Sequence, residues 1–240
     1  MERKIELFGF NNLAKSLNLN IYDVCYTSSE PDRQAYLAYI NKMFNSKRLM
    51  KTLIEISELI KATVLNISKH DYNPFGASAT VLLSEEPVNS IPEGRTVCRE
   101  NEVILAHLDK SHLAAHTYPD INPDNPVATC RLDIDIVTCG KITPLNALDY
   151  LIDRFDPDII TLDYKVRGFT RTSDAKKLYI DHNITSIRDY IDDKTLLKYV
   201  ARDINIHESN IFHTKMIKNE TKMNNQSLRR EMIEIFNCSR

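Results

Sequence analysis

The stretch TCRLDIDIVTC, residues 129–139, has the clearest strand pattern in the chain. Leu132, Ile134 and Ile136 point to one side of an extended backbone, because successive side chains alternate between the two faces. The opposite face carries Asp133, Asp135, Val137 and Cys139. The alternation predicts a strand with one face against an apolar core and one largely polar face.

Other strand and helix patterns flank this strand. Further strand patterns lie at 16–26, 62–68, 78–84, 112–118 and 158–170. Two helical stripes follow Pro31, with Ser28 or Ser29 as the N-cap. Residues 143–155 predict a helix capped by Thr143, with Pro144 at its first position, and the last stretch, 219–240, ends in a helical pattern. Because the elements lack regular β–α alternation, we predict an α+β fold, a largely antiparallel β-sheet covered by α-helices.

The bulk composition is that of an ordinary globular protein. The chain has 240 residues, 42% of them hydrophobic and 27% charged, and its net charge is −2. This balance gives no electrostatic case for binding nucleic acid or an anionic membrane. There is no apolar run near the roughly 20 residues of a membrane span, and the start, MERKIELFGF, lacks the apolar segment of a signal peptide. These features predict a cytoplasmic protein.

Glycines and cysteines exclude several classes of site. The five glycines form neither a phosphate-binding loop nor the nucleophile elbow of a hydrolase. The five cysteines are odd in number and include no C-x-x-C pair, so a disulfide framework or a cysteine zinc site is not expected. We expect most of them to be small buried hydrophobic residues.

The segment LAHLDKSHLAAHTYPD, residues 105–120, crowds reactive side chains between two apolar runs. Ser111 and His116 could be a nucleophile and its base, or merely two polar residues at exposed strand ends. Five residues apart on a regular strand, they lie on opposite faces, so contact requires a turn or bulge near Ser111. His112 and His116 could also bind a metal, but the strand pattern and the lack of a third ligand with helpful spacing argue against it.

Two further positions carry candidate chemistry. Cys139 closes the strand 129–139, precedes Gly140, and lies on the polar face, where a thiol can act as proton donor or nucleophile. The segment DYNPFGAS brings Tyr72 and Ser78 together before a strand. Taken alone, this segment is an ordinary turn.

Combined, these motifs resemble S-adenosylmethionine decarboxylase of the prokaryotic type. The resemblance is carried by PFGASATVLLSEEP (74–87), LDKSHLAAHTYPD (108–120), DIDIVTCG (133–140) and PLNALDYLI (144–152). It extends over about residues 7–216 and implies a single domain, 1–240, with the αβ sandwich of that family. The long insert before Ser111 is similar to that of the larger bacterial subgroup, which implies stimulation by magnesium and no metal at the catalytic residues.

The resemblance implies that the protein is a proenzyme that cuts itself between Lys110 and Ser111. The products would be a β chain, 1–110, and an α chain, 111–240, that begins with a pyruvoyl group made from Ser111. Decarboxylation of an amino acid leaves a carbanion that needs an electron sink. A pyruvoyl carbonyl, joined to the substrate amine as a Schiff base, meets that need without a bound cofactor. The product, decarboxylated S-adenosylmethionine, would donate the aminopropyl group of spermidine.

The resemblance also implies a role for each candidate residue. His116 would be the proton acceptor in self-cleavage and Ser78 would assist it, while Cys139 would protonate the substrate carbon after carbon dioxide leaves. Tyr72 would stack on the adenine of S-adenosylmethionine, and Asp23, in the first long strand, is a plausible substrate contact. The family also implies a homo-oligomer of αβ pairs.

Two other functions stay open from the sequence. An unprocessed homologue could keep the fold and bind S-adenosylmethionine or a partner chain without catalysis. A serine or cysteine hydrolase would use Ser111 or Cys139 as its nucleophile, but no clear oxyanion-hole glycine accompanies them.

Overall fold

The computed structural model describes residues 7–84, 111–219 and 226–237. Its strands are β1 (Leu7–Asn11), β2 (Ala14–Tyr26), β3 (Thr63–Asp71), β4 (Ala77–Ser84), β5 (His112–Asp120), β6 (Val127–Cys139), β7 (Ile159–Arg167), β8 (Thr170–Thr172), β9 (Lys177–Leu178), β10 (Tyr199–Asp203) and β11 (Ile211–Lys218). Its α-helices are α1 (Glu30–Met43), α2 (Ser46–Leu59), α3 (Leu148–Phe155), α4 (Asp193–Leu196) and α5 (Gln226–Asn237).

Eight strands form one sheet in the order β10-β11-β7-β2-β6-β5-β4-β3. Every neighbouring pair in this sheet is antiparallel. The long strands β2 and β6 lie at its centre and pair from Ala14 with Cys139 to Tyr26 with Val127. Strands β1, β8 and β9 make a separate three-stranded sheet.

The helices α1, α2 and α3 pack on one face of the large sheet. Leu132, Ile134 and Ile136 of β6 are buried in the same apolar cluster as Leu53 of α2 and Leu151 of α3. Full burial of such a side chain contributes roughly 1.5–3 kcal/mol. The alternation in the sequence therefore identified the core face correctly, and the architecture confirms the α+β prediction with helices on an antiparallel sheet.

The sequence signals for helix starts predicted the start of α1 correctly and the start of α3 wrongly. Ser29 caps α1 in a full capping box with Asp32, and Pro31 lies in the first turn. Thr143, in contrast, makes no capping hydrogen bond, and Pro144–Ala147 form a 3₁₀ turn before α3 begins. Sequence signals placed this helix four residues early because proline at a first position suits both kinds of helix.

The second face of the sheet is largely polar. At one end it is covered by α5, whose Leu228 packs with Val24, Val127, Ile159 and Ile217. This is the terminal helix predicted from the sequence. No helix within the described ranges is long and apolar enough to cross a membrane.

Candidate active site

Ser111 and Cys139 meet at one end of the sheet. Ser111 is 4% exposed and immediately precedes β5, while Cys139 is the last residue of β6. The backbone amide of Cys139 donates to Ser111 Oγ over 3.1 Å. The carbonyl of Ser111 accepts from the amide of Leu83 at 2.8 Å. Hydrogen bonds therefore hold both the side chain and the carbonyl of Ser111. Lys110, the other half of the predicted cleavage site, lies outside the described residues.

The turn after Cys139 has a conformation that favours glycine. Gly140 has φ of +66°, in the left-handed region. Its amide donates to the carbonyl of Leu13 at 2.9 Å. The chain thus turns sharply directly after the thiol, and the start of β2 holds that turn.

Ser78 and His116 form a second group, on the polar face. The two residues lie directly opposite each other on β4 and β5, where Cβ atoms are about 4.5–5.5 Å apart. Tyr72 donates its hydroxyl hydrogen to Ser78 Oγ at 3.0 Å, and its ring is 46% exposed. Thr117 Oγ1 accepts from the amide of Ala77 at 2.6 Å, which fastens the two strands together beside this group.

The second group continues across the sheet as a polar row. Asp133 lies opposite both His116 on β5 and Asn20 on β2. Its Oδ1 accepts from Asn20 Nδ2 at 2.6 Å and lies 3.0 Å from Arg131 Nε. The polar side of the 129–139 pattern therefore forms a hydrogen-bonded surface next to His116.

The two groups do not meet within one chain. The register between β5 and β6 runs without a shift from His112 to Asp120, so the turn or bulge that a Ser111–His116 contact requires is absent there. Five residues of extended strand span about 16 Å. The structure therefore brings Ser111 to Cys139, and Ser78 to His116 and Tyr72, but it separates the two groups.

Asp23 lies far from Ser111 and Cys139, whereas its partner Cys130 pairs with Pro119, three positions along β5 from His116. It pairs with Cys130, nine positions along β2 from the pairing of Ala14 with Cys139, which corresponds to about 30 Å. Its carboxylate accepts from the hydroxyls of Tyr36 at 2.9 Å and Tyr39 at 3.2 Å. These residues line a cavity of about 420 Å³ beside α1.

Burial dominates the electrostatics around Asp23. Desolvation, followed by the charge of Asp23, raises the pKa of the Cys130 thiol to about 12. The same two causes raise the pKa of Tyr36. Cys130 therefore stays a neutral thiol at physiological pH, as expected of a small buried hydrophobic residue.

Histidines of β5 are not arranged as a metal site. His112 and His116 share a face of the strand, but four extended residues separate them by about 13 Å. Within the described ranges, no group of three or more histidine, cysteine, aspartate or glutamate side chains could hold a metal ion.

Lys15 is a residue of this region that the motifs did not reveal. Its side chain is 1% exposed and donates to the carbonyl of Gly140 at 3.0 Å. One signal was available in the sequence: Leu13, Lys15 and Leu17 share the apolar face of a strand, and a lysine in such a position must be paired when buried.

The fold and the site define a class of protein: a helix-covered antiparallel sheet that carries a buried serine bonded to the backbone amide of a cysteine, and a serine–histidine pair. Comparison with known proteins agrees with this class. The family model of S-adenosylmethionine decarboxylase matches residues 34–168. The S-adenosylmethionine decarboxylase proenzyme of Alkaliphilus oremlandii is 53% identical, over 98% of this chain and 97% of the relative. That of Clostridium beijerinckii is 51% identical over the same shares.

The chain belongs to the S-adenosylmethionine decarboxylase family. A solved structure, the adenosylmethionine decarboxylase from Aquifex aeolicus, is 18% identical, with a TM-score of 0.36 over 66% of this chain and 91% of that chain. Membership rests on the sequence matches, which cover nearly the whole chain.

Proposed function

We propose that this protein cleaves itself between Lys110 and Ser111 and then decarboxylates S-adenosylmethionine with a pyruvoyl group made from Ser111. The observation on which this proposal mainly rests is the 3.1 Å hydrogen bond from the amide of Cys139 to the buried Ser111 Oγ. This contact joins the predicted pyruvoyl precursor to the backbone of the residue predicted to be the proton donor, which supports the proposal. Relatives named as S-adenosylmethionine decarboxylase proenzymes support the same substrate and the same need for processing.

The bond-breaking steps of self-cleavage use groups of the chain, and one water molecule then completes the pyruvoyl group. Ser111 Oγ attacks the carbonyl carbon of Lys110, and the peptide bond becomes an ester as the nitrogen of Ser111 takes a proton. His116 then removes the α-proton of residue 111, so that the Lys110 carboxylate leaves and a dehydroalanine is formed. Water replaces the nitrogen of that residue, ammonia is released, and a pyruvoyl group remains. The products are the chains 1–110 and 111–240.

The surroundings of Ser111 fit a pyruvoyl group. A ketone needs hydrogen-bond donors and exclusion of bulk water, and the Cys139 amide together with 4% exposure at residue 111 provide both. When present, the pyruvoyl group supplies the electron sink for decarboxylation. Cys139 would protonate the substrate carbon after carbon dioxide leaves. The exposed ring of Tyr72 is available to stack on the adenine.

We further propose that two copies of the chain share each site. A base and a nucleophile act together within about 3 Å, yet Ser111 and His116 are separated by about 16 Å of strand β5. A second copy would supply Ser78 and His116 to the Ser111 and Cys139 of the first. This arrangement makes the protein a homo-oligomer of processed αβ pairs. Asp23 lines the cavity beside α1 and stays a predicted substrate contact.

Magnesium stimulation and a cytoplasmic location stay predictions. The first is tested by assaying decarboxylation after removal of divalent cations by EDTA and again after magnesium is restored. Recovery of lost activity supports it, and unchanged activity in EDTA contradicts it.

Mass spectrometry under denaturing conditions tests the main proposal. We expect two chains, with the 111–240 chain starting in pyruvoyl, and carbon dioxide release from carboxyl-labelled S-adenosylmethionine. Cyanoborohydride should trap the substrate on the 111–240 chain, and Ser111→Ala should abolish cleavage, trapping and turnover together. A full-length wild-type chain that binds the substrate without releasing carbon dioxide is the opposing result.

A further inference from the structure

Lys15 is a buried cation close to the proposed reacting groups. It is 1% exposed and lies on the helix-covered face of β2. Its ammonium donates to the carbonyl of Gly140 at 3.0 Å and to Asp181 Oδ2 at 2.7 Å. Since an unpaired buried charge is strongly destabilising, these two contacts fix where the ammonium can be.

The counter-ion of Lys15 is itself held in place. Asp181 Oδ1 lies 2.8 Å from His182 Nδ1, and His182 Nε2 lies 3.2 Å from the hydroxyl of Tyr164. Burial alone raises the pKa of Asp181, but hydrogen bonds from His182 and Lys15 outweigh it and keep that pKa below its ordinary value. Asp181 is therefore a carboxylate at neutral pH, and the chain Lys15–Asp181–His182–Tyr164 is a fixed network.

Gly140 connects this network to the reacting groups. The amide of Gly140 donates to Leu13, and its carbonyl accepts from Lys15. Both polar atoms of the residue after Cys139 are thus held by the start of β2. The amide of Cys139, one residue earlier, donates to Ser111 Oγ.

We propose that Lys15 is a positioning residue for Cys139: through the Gly140 carbonyl it fixes the backbone at Cys139, whose amide holds residue 111. This inference rests on the proposed function for its catalytic consequence, although the contacts themselves do not. Self-cleavage would leave Lys15 on the 1–110 chain and Gly140 and Asp181 on the 111–240 chain. The ammonium therefore also ties the two products together at the site.

Thiol alkylation tests the positioning without relying on activity. The purified protein is treated with iodoacetamide, and modification of each cysteine is followed by peptide mass spectrometry. Lys15→Met should raise the alkylation rate of Cys139 by about tenfold to a hundredfold, the effect of losing one hydrogen bond to a charged group. Cys25 and Cys130 lie toward the other end of β2 and β6 and serve as internal controls. Equal acceleration of all three thiols would indicate general loosening and overturn the proposal.

A double-mutant cycle tests the catalytic consequence. In the cleaved enzyme, Lys15→Met should lower kcat about tenfold with KM changed less than about twofold. Added to Cys139→Ala, the same change should cause little further loss, because coupled residues are not additive. Arg188→Met is the matched control. It breaks an ion pair with Asp203 on the edge strand β10, and its effect should be the same with or without Cys139. Additive effects of Lys15→Met would overturn the proposal.

A second variant keeps the test decisive if Lys15→Met does not fold. Asp181→Asn preserves the volume of the side chain and removes the counter-charge, so it should move Cys139 alkylation and kcat in the same direction by a smaller factor. Wild-type values in a folded Asp181→Asn protein would overturn the proposal. If the wild-type chain neither cleaves nor decarboxylates, the proposed function fails, while the alkylation experiment still decides the role of Lys15.

Discussion

Mixing two inactive variants tests whether the site is shared between copies. Ser111→Ala cannot form the ester, and His116→Ala lacks the base for elimination, so each variant alone should stay uncut. In a mixed pair, the His116→Ala copy contributes an intact Ser111 and the Ser111→Ala copy contributes an intact His116. One of the two composite sites is then complete.

The expected fraction of cleaved chains follows from the distance between Ser111 and His116 and from random pairing of the copies. The gap of about 16 Å along the strand is far beyond side-chain reach, so we expect no cleavage inside one chain. With equal co-expression and random pairing in a two-fold dimer, about half of the pairs are mixed. Each mixed pair has one complete site, which cuts its His116→Ala chain. About half of all His116→Ala chains should therefore be cleaved, and no Ser111→Ala chains.

The assay is denaturing mass spectrometry of the co-expressed protein, because the two substitutions give each chain a different mass. A matched control replaces the Ser111→Ala partner by the double variant Ser111→Ala/His116→Ala, which supplies neither group. This mixture should remain uncut. If the first mixture also remains uncut while dimers form, the site is built within a single chain and the reasoning from the strand register is refuted.

Three further predictions concern single residues. Tyr72→Phe removes the 3.0 Å hydrogen bond to Ser78, worth about 0.5–1.5 kcal/mol, so self-cleavage should slow by about twofold to tenfold. Gel time courses measure the cleavage rate. As a control, Tyr118→Phe changes a tyrosine of similar exposure and should leave that rate unchanged. Cys139→Ala should still permit cleavage but depress carbon dioxide release by about 10²–10⁴-fold, as for loss of a general acid; a normal rate would remove the thiol from the mechanism. The pKa of Asp181 is lowered in the folded state. The stabilising effect of this carboxylate is therefore present above the unfolded pKa and is lost as pH falls through the folded pKa. Melting temperatures of Asp181→Asn should fall less steeply in acid than those of wild type, and parallel curves would contradict this.

Local patterns in the sequence were sufficient for the elements and for the core face. The alternation in residues 129–139 predicted β6 and the burial of Ile134 and Ile136, because side-chain period two is a property of the extended backbone itself. The cap at Ser29 was equally local. The motif resemblance identified the family, which the comparisons confirmed over nearly the whole chain.

The contacts between residues that are far apart in the sequence were decided only by the tertiary structure. The sequence supplied Ser111, His116 and Cys139 as candidates, but the antiparallel register determined that Ser111 meets Cys139 while His116 meets Ser78. Likewise, a lysine on an apolar strand face has to find a partner, but nothing in its neighbourhood along the chain points to Asp181, 166 residues away. Periodicity fixes which face a side chain occupies. The pairing of strands and the packing around a buried charge depend on the whole chain, and they set which reactive groups come within bonding distance.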